Sequence, residues 1–430
     1  MAGIRAWREH GLLSLARDMG SSGAGPLISF VTMFAAPIVC AKVLDIEQFA
    51  FWVILSTITT VSTAIDFGGT ALAMARIDLA PRKQVLIRSS LLSVSGSLAV
   101  GVIAILAFAL VSRAETFRAI PFAEGLFAIA LTVLSTCFRG VIAVIAQAVL
   151  AERKFTVRTT LLGGQGLLAS AVMMALAALT GSAWCLPIAW CVSSVLVLAS
   201  GLIWMKQNRF SERGPQSSAP GLSSTAAFAS WRSLEAMLSA LLLQGDRWVI
   251  GALASAEFLA TYEISWRFAV LPKFLIQVLV TYLGAEAQRA TSVRADSRTI
   301  ASILSRSRFI SLIVAATSSV TCAIAYFGVT AYLELQWIPL FWALILALTL
   351  HGLTAPYSVI GIAVDLPKID LPYLCTAVCG AILAAAVGWL SSNASIYILV
   401  NCLALAVSCV WFLLYSPFEI SRKVSRGATS

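Results

Sequence analysis

The sequence predicts an all-α polytopic membrane protein with about twelve transmembrane helices in two six-helix bundles, related by a parallel pseudo-twofold repeat. Three observations carry this. Hydrophobic residues make up 59% of the 430 and charged residues only 12%, with a mean hydropathy of +0.90. No water-soluble domain of this size holds such a balance without exposing most of its apolar surface. Apolar runs of about 20 residues, enough to cross a hydrocarbon core, recur from Gly25 to the C-terminus. A polar break near the middle leaves six such runs on either side.

In order, residues 1–21 precede the first span. Ile4, Trp7, Leu12, Leu15 and Met19 fall on one helical arc with Arg5, Arg8 and Arg17 elsewhere. That pattern suits either an interfacial amphipathic helix or a frayed tail. No h-region with a small-residue cleavage site precedes the first span, so no cleaved signal is expected. The first bundle is expected over 22–205, with spans at 22–44, 50–74, 89–111, 123–150, 159–180 and 184–205. A cytoplasmic linker (206–228) contains SERGPQSSAPGLSS, a composition that cannot bury enough apolar surface to fold alone. The second bundle is expected over 229–416, with spans at 229–253, 258–284, 307–330, 338–362, 371–391 and 396–416, followed by a cytoplasmic tail, 417–430. Pro26, Pro37, Pro187, Pro272 and Pro356 fall within or at the ends of spans, as hinges or static kinks.

Basic residues set the orientation. Twenty-two Lys and Arg fall on the side that holds both termini, and only Lys42, Arg113 and Arg118 fall on the other. Both termini are therefore expected in the cytoplasm. The net charge of +10 reflects this bias and does not argue for nucleic acid. Nine cysteines sit in or at the ends of spans without any C-x-x-C spacing, as small apolar residues would. A shift of 210 residues superposes Val39, Glu47, Ala50, Trp52 and Ile54 on Val249, Glu257, Ala260, Tyr262 and Ile264. That stretch joins the first two spans of each half, and parallel halves around a central cavity are a transporter architecture.

Function is sought among the charges inside spans. Basic Arg139, Arg232, Arg247, Arg267 and Lys273 face acidic Asp66, Glu235, Asp246 and Glu263. At about 2.5–3.5 kcal/mol each at mid-bilayer, nine lipid-facing charges would cancel the apolar gain of several helices. They must meet one another or water. At about 1.5 Å per residue, Asp66, Arg139 and Lys273 lie about 21–24 Å from the outer end of their spans, and Asp246, Arg247, Glu263 and Arg267 about 7–14 Å. Arg232 and Glu235 fall near the cytoplasmic mouth. The basic residues are candidate ligands for an anionic substrate, a phosphate above all, because guanidinium forks bind it bidentately. Arg232/Glu235 (i,i+3) and Glu263/Arg267 (i,i+4) also read as structural pairs. Asp246 and Arg247 point about 100° apart on a continuous helix and should satisfy each other poorly. Asp66 is placed to pair with Arg139, or to exchange H⁺ or Na⁺. His351, alone in the tenth span near Pro356, reads as a satisfied interior histidine. Trp52, Trp248, Tyr262 and Trp266 read as an interfacial belt, or as stacking platforms for sugars.

The chain has no G-x-x-x-x-G-K-[ST] phosphate loop, and its outer loops are short. An ATP-driven pump and a membrane-embedded polymerase or transferase are thereby disfavoured, and no enzyme activity or cofactor is expected. FAFWVILSTITTVSTAIDFGG (49–69) and GDRWVIGALASAEFLATYEISWRF (245–268) resemble the polysaccharide-biosynthesis (Wzx-type) flippases of the multidrug/oligosaccharidyl-lipid/polysaccharide (MOP) exporter superfamily. The likeness rests on Asp-Phe-Gly ending the second span, Asp-Arg in the seventh and Tyr262 opening the eighth. TYLGAEAQR, closing the eighth span, departs from relatives that often carry a proline there. The resemblance implies a MATE/MOP-like fold in the bacterial cytoplasmic (inner) membrane that flips isoprenoid-diphosphate-linked oligosaccharide, with Asp66, Asp246 and Arg247 lining the lumen. It implies membrane lipids, a polysaccharide polymerase and chain-length or export proteins as partners, and H⁺ or Na⁺ coupling stays open. The alternative is a secondary multidrug or metabolite exporter.

Overall fold

A computed structural model describes residues 34–76, 81–114, 117–118, 120–151, 154–208, 210, 222–292, 297–335, 339–363, 366 and 368–427. The amphipathic stretch 4–19, Pro26, most of the first span and the central linker from 211 to 221 lie outside them. Among the described residues the regular structure is helical throughout, with no strand. The helices are α1 (Phe34–Val43), then α2 (Ile46–Ala64), α3 (Gly69–Arg76), α4 (Arg82–Val111), α5 (Phe122–Ala151), α6 (Phe155–Thr180) and α7 (Cys185–Gln207). The second half holds α8 (Leu222–Gln244), α9 (Asp246–Leu253), α10 (Ala256–Ser292), α11 (Ser297–Leu333), α12 (Phe341–Leu353), α13 (Ala355–Ala363), α14 (Leu371–Ser391) and α15 (Ala394–Gly427).

These helices fall at the twelve places where the sequence predicts spans, and three spans are interrupted: the second between α2 and α3, the seventh between α8 and α9, the tenth between α12 and α13. Among the described residues, eight helical stretches are long and apolar enough to cross a membrane, with Phe341–Gly361 across α12 and α13 taken as one. The expected spans outside that set are the partly described first, the interrupted second and seventh, and the charged eighth. Large apolar side chains such as Leu110 (84% exposed), Leu179 (82%) and Leu390 (86%) stand on the surface, where only lipid would cover them favourably. The chain is a multi-pass membrane protein. Two ends differ from expectation: the chain is already helical at Leu222, inside the expected linker, and the last helix runs on to Gly427 through the expected tail.

The 210-residue repeat is visible in the backbone. Val43 ends α1 and Ile46 opens α2; Leu253 ends α9 and Ala256 opens α10. At the first turn, Leu44 N–H donates to Cys40 O (2.9 Å) and Phe49 N–H to Asp45 O (2.8 Å). At the second, Ala254 N–H donates to Ile250 O (2.8 Å) and Leu259 N–H to Ser255 O (3.1 Å). Every donor and acceptor in one turn maps onto its counterpart in the other.

The chain groups into two compact units, one drawing on Met1–Leu44, Ser62–Ile105 and Ala123–Ser233, the other on Asp45–Val61, Leu106–Phe122 and Leu234–Ser430. In the first, Ile142, Ile145 and Val149 of α5 pack with Leu161, Met205 and Phe210. In the second, α10 packs against α11, α12 and α13, around a core that includes Ile276, Val280, Ala315 and Ala355.

Candidate functional site

Four of the charges are brought together in the second unit. Gly245 interrupts the seventh span, so α9 starts afresh at Asp246, where a carboxylate is favoured by the helix dipole. Arg247 Nη1 donates to Asp246 Oδ1 (2.8 Å) and to the Leu243 carbonyl (2.6 Å), which the interruption leaves without its helical partner. Arg247 Nε donates to Glu263 Oε2 (2.9 Å) on α10. Arg267 Nη2 sits 2.6 Å from Glu263 Oε1, one turn along the same helix. The Tyr262 hydroxyl donates to Asp246 Oδ2. All four side chains are buried, Arg247 to 1% exposure and Glu263 to 1%. Two carboxylates meet two guanidiniums, so the cluster is neutral as a whole.

Two expectations are corrected here. Asp246 and Arg247 do bind each other: the backbone at Gly245 stays right-handed helical (φ -65°, ψ -24°), and the length of the arginine side chain lets its Nη1 fold back to the neighbouring carboxylate. Trp52, Tyr262 and Trp266 form no exposed belt: they are buried to 2%, 1% and 7% exposure. The Trp266 ring lies 3.9 Å from the Arg247 guanidinium carbon and the Trp52 ring 5.6 Å from that of Arg267. Aromatic faces thus cover the cations where water would otherwise solvate them. Trp248 is half-buried. The expected Glu263/Arg267 pair is present.

Asp66 is engaged locally and not with Arg139. Its carboxylate accepts the Gly68 N–H (2.9 Å), the Thr70 N–H (2.8 Å) and the Thr70 hydroxyl, capping α3 across the interruption of the second span. Phe67 (φ 45°) and Gly68 (φ 77°) take the left-handed backbone that turns the chain there. A Cβ on Gly96 of α4 would stand 2.1 Å from the Ile65 carbonyl oxygen, so only glycine lets α4 rest on this turn. No Asp66–Arg139 pair forms among the described residues.

Arg139 instead lies over Trp190 of α7, its guanidinium carbon 3.8 Å from the ring centroid. It is half-buried and has no carboxylate partner among the described residues. Stacking occupies one face of the guanidinium and leaves its in-plane N–H donors for a ligand. Lys273, the other deep cation, is 5% exposed on α10. His351 is buried, but its Nδ1 has no hydrogen-bond partner, contrary to the satisfied interior histidine expected. Glu235 is half-buried on α8, and the Arg232 side chain lies outside the described residues. No group of three or more His, Cys, Asp or Glu that could hold a metal occurs among the described residues, and the cysteines are free. Sequence reasoning missed Trp190, since no spacing rule links α5 to a ring two helices later. It also missed the three interruptions, though Asp-Phe-Gly-Gly and Gly-Asp are turn signals.

No protein-family model and no curated protein sequence matches this chain. Solved structures do. The lipid II flippase MurJ, in an inward closed conformation, superposes with a TM-score of 0.69 at 14% identity, over 94% of this chain and 89% of that one. An inward-facing multidrug resistance MATE family transporter of the MOP superfamily gives 0.62 at 15% identity, over 92% and 95%. A MOP superfamily transporter from Pyrococcus furiosus, described by the reversed polarity of its binding pocket, gives 0.62 at 12%, over 94% and 95%. This chain therefore has the fold shared by MurJ and the MATE transporters of the MOP superfamily.

Proposed function

We propose that this chain is a MOP-superfamily transporter of the bacterial cytoplasmic membrane that flips isoprenoid-diphosphate-linked oligosaccharide repeat units outward, for exopolysaccharide, capsule or O-antigen assembly. It works by alternating access along a cationic pathway, with both termini in the cytoplasm and with the polymerase and export proteins of the same assembly line as partners. The observation that carries this reading is how the intramembrane charges are distributed. Asp246 and Glu263 are neutralised by Arg247 and Arg267, and Asp66 is committed to backbone amides. Arg139 is left with free donors beside an aromatic ring. A diphosphate needs such a fork, while the isoprenoid tail can stay in lipid as the polar head crosses.

The MATE likeness favours a second reading, a multidrug exporter. A site for organic cations needs uncommitted carboxylates, and Asp66, Asp246 and Glu263 are all engaged, which weighs against it. The test is leaflet accessibility of a lipid-linked oligosaccharide in proteoliposomes. Wild-type protein should expose it on the far side and Arg139→Met should not. Equal movement by both would remove Arg139 from the pathway. No movement by folded wild-type protein, with efflux of a cationic dye instead, would establish the exporter.

A further inference from the structure

Lys273 follows Pro272, which deprives α10 of one backbone hydrogen bond and loosens that turn. Opposite it the tenth span is itself interrupted. The Thr354 N–H (3.3 Å) and hydroxyl (2.7 Å) both reach back to the His351 carbonyl. The two irregular turns touch: a Cβ on Gly352 would lie 2.7 Å from Lys273 Cα and 3.3 Å from its Cβ. Only glycine allows that approach, and it brings Lys273 and the neighbouring His351 into one interior, at 5% and 4% exposure.

The surroundings supply no counter-charge. Among the described residues neither an ion pair nor a hydrogen bond holds the Lys273 ammonium; Cys409 of α15 acts on it electrostatically, and it acts in turn on His351 of α12. α11 presents Val314 and Ala315 to this region, and α13 presents Ala355 and Val359. From α14, Tyr373 Oη stands 3.5 Å from His351 Nε2. Asp370, which accepts a bond from Ser358 (2.5 Å), and Glu235 of α8 act on that tyrosine. On α10 itself the charged neighbours toward the outer end, Glu263 and Arg267, bind each other. His351 Nδ1 remains an unused polar atom in a buried place, where one normally finds a partner.

An arginine here would stay charged, whereas a lysine and a histidine can each exist with or without the proton. We infer that Lys273 and His351 form a proton-exchange site at the crossing of α10 and α12. The pair holds one proton between them. In the exchange an N–H bond of the Lys273 ammonium breaks and one forms at His351 Nδ1, leaving neutral amine and imidazolium, with total charge unchanged. Release of that proton to either side removes the charge from the point where the proline-bearing turn of α10 meets the interrupted tenth span. The angle between them, and with it the state of the carrier, is thereby tied to a proton. The coupling role rests on the transporter reading; the shared proton does not.

The test needs no transport substrate. The chain has two histidines, His10 and His351, so full-length protein with ¹⁵N-labelled histidine in lipid nanodiscs gives two sets of ring signals, assigned by His351→Gln. The His351 signals should titrate, and Lys273→Met should displace their midpoint by about one pH unit while His10 stays in place as an internal reference. Lys273→Gln, closer in polarity, serves if the methionine variant does not fold. A His351 titration unchanged by both substitutions, or absent in wild type and variants alike, would overturn the proposal and leave the flippase reading standing. Loss of flipping in Arg139→Met with the histidine coupling intact would do the reverse, supporting the pathway without bearing on the proton.

Discussion

Replacing Arg247 with methionine removes the hub of the buried cluster while keeping the length of the side chain. Three hydrogen bonds go, to Asp246, to Glu263 and to the Leu243 carbonyl. The losses are unequal. Glu263 keeps Arg267 at 2.6 Å, but Asp246 is left with the Tyr262 hydroxyl and no cation, and the cluster changes from neutral to a net single negative charge. Breaking one partner out of a buried pair costs about 3–5 kcal/mol. At an unfolding entropy of ~2.1 cal/mol/K per residue, that corresponds to about 3–6 °C in melting temperature for a chain of this length. The double variant Asp246→Leu/Arg247→Met restores neutrality and leaves the Glu263–Arg267 pair intact, so it should regain more than half of the loss. Thermal melts in one detergent and lipid mixture, read as a double-mutant cycle with Asp246→Leu, measure both quantities. Arg247→Met melting within 1 °C of wild type would refute the reasoning, since an arginine that can be lost without cost is solvated and not a structural hub.

Arg139→Met strands no carboxylate, so its melting temperature should shift by no more than the stacking on Trp190 supplies, about 1–2 kcal/mol, while flipping assayed in proteoliposomes is lost. Arg139→Lys should not restore flipping, because an ammonium lacks the planar fork. Asp66→Ala should cost about 1 kcal/mol as a lost helix cap and Asp66→Ser clearly less, both read by denaturation. Asp66→Asn should leave the response to an imposed pH gradient unchanged, since the carboxylate is committed to Gly68 and Thr70. Gly96→Ala should destabilise by about 1–3 kcal/mol as its Cβ meets the Ile65 carbonyl, whereas Gly164→Ala, with nothing within 4 Å, should be neutral or stabilise by up to ~1 kcal/mol.

The positions of the spans are legible in the sequence because the thickness of a bilayer dictates the length of an apolar run, whatever packs against it. Their interruptions are harder to read, since a broken helix and a continuous one can share the same hydropathy. Asp66 shows the consequence. Taken as a point on an unbroken helix it is an isolated charge facing Arg139; taken with Phe67, Gly68 and Thr70 it is a cap, and only the turn geometry decides between them. Asp246 and Arg247 fail for another reason: an arginine side chain is long enough to fold back on the carboxylate beside it. The aromatic residues mislead through depth: rings near a membrane boundary read as a belt, yet Trp52 and Trp266 lie on the guanidiniums of residues distant in the chain. Arg139 was legible as an unusual charge, but its support, Trp190, depends on how α5 and α7 pack.

The repeat bears on why the charges are divided as they are. The two turns related by 210 residues share their hydrogen bonds donor for donor, so the halves have the same backbone at that point, yet Asp246, Arg247, Glu263 and Arg267 correspond to Ala36, Pro37, Val53 and Thr57. The whole neutral cluster is peculiar to the second half. Lys273 corresponds to Thr63, and Arg139 to Thr349. A duplicated scaffold with symmetric chemistry would grip an anion equally in both halves and gain nothing from rearranging. Here the uncommitted guanidinium belongs to the first unit, and the uncompensated Lys273, beside His351, to the second. On the proposed reading, ligand recognition and proton exchange would fall to different units of one fold, which is the arrangement a carrier needs if occupancy of one site is to bias the other through a change of conformation.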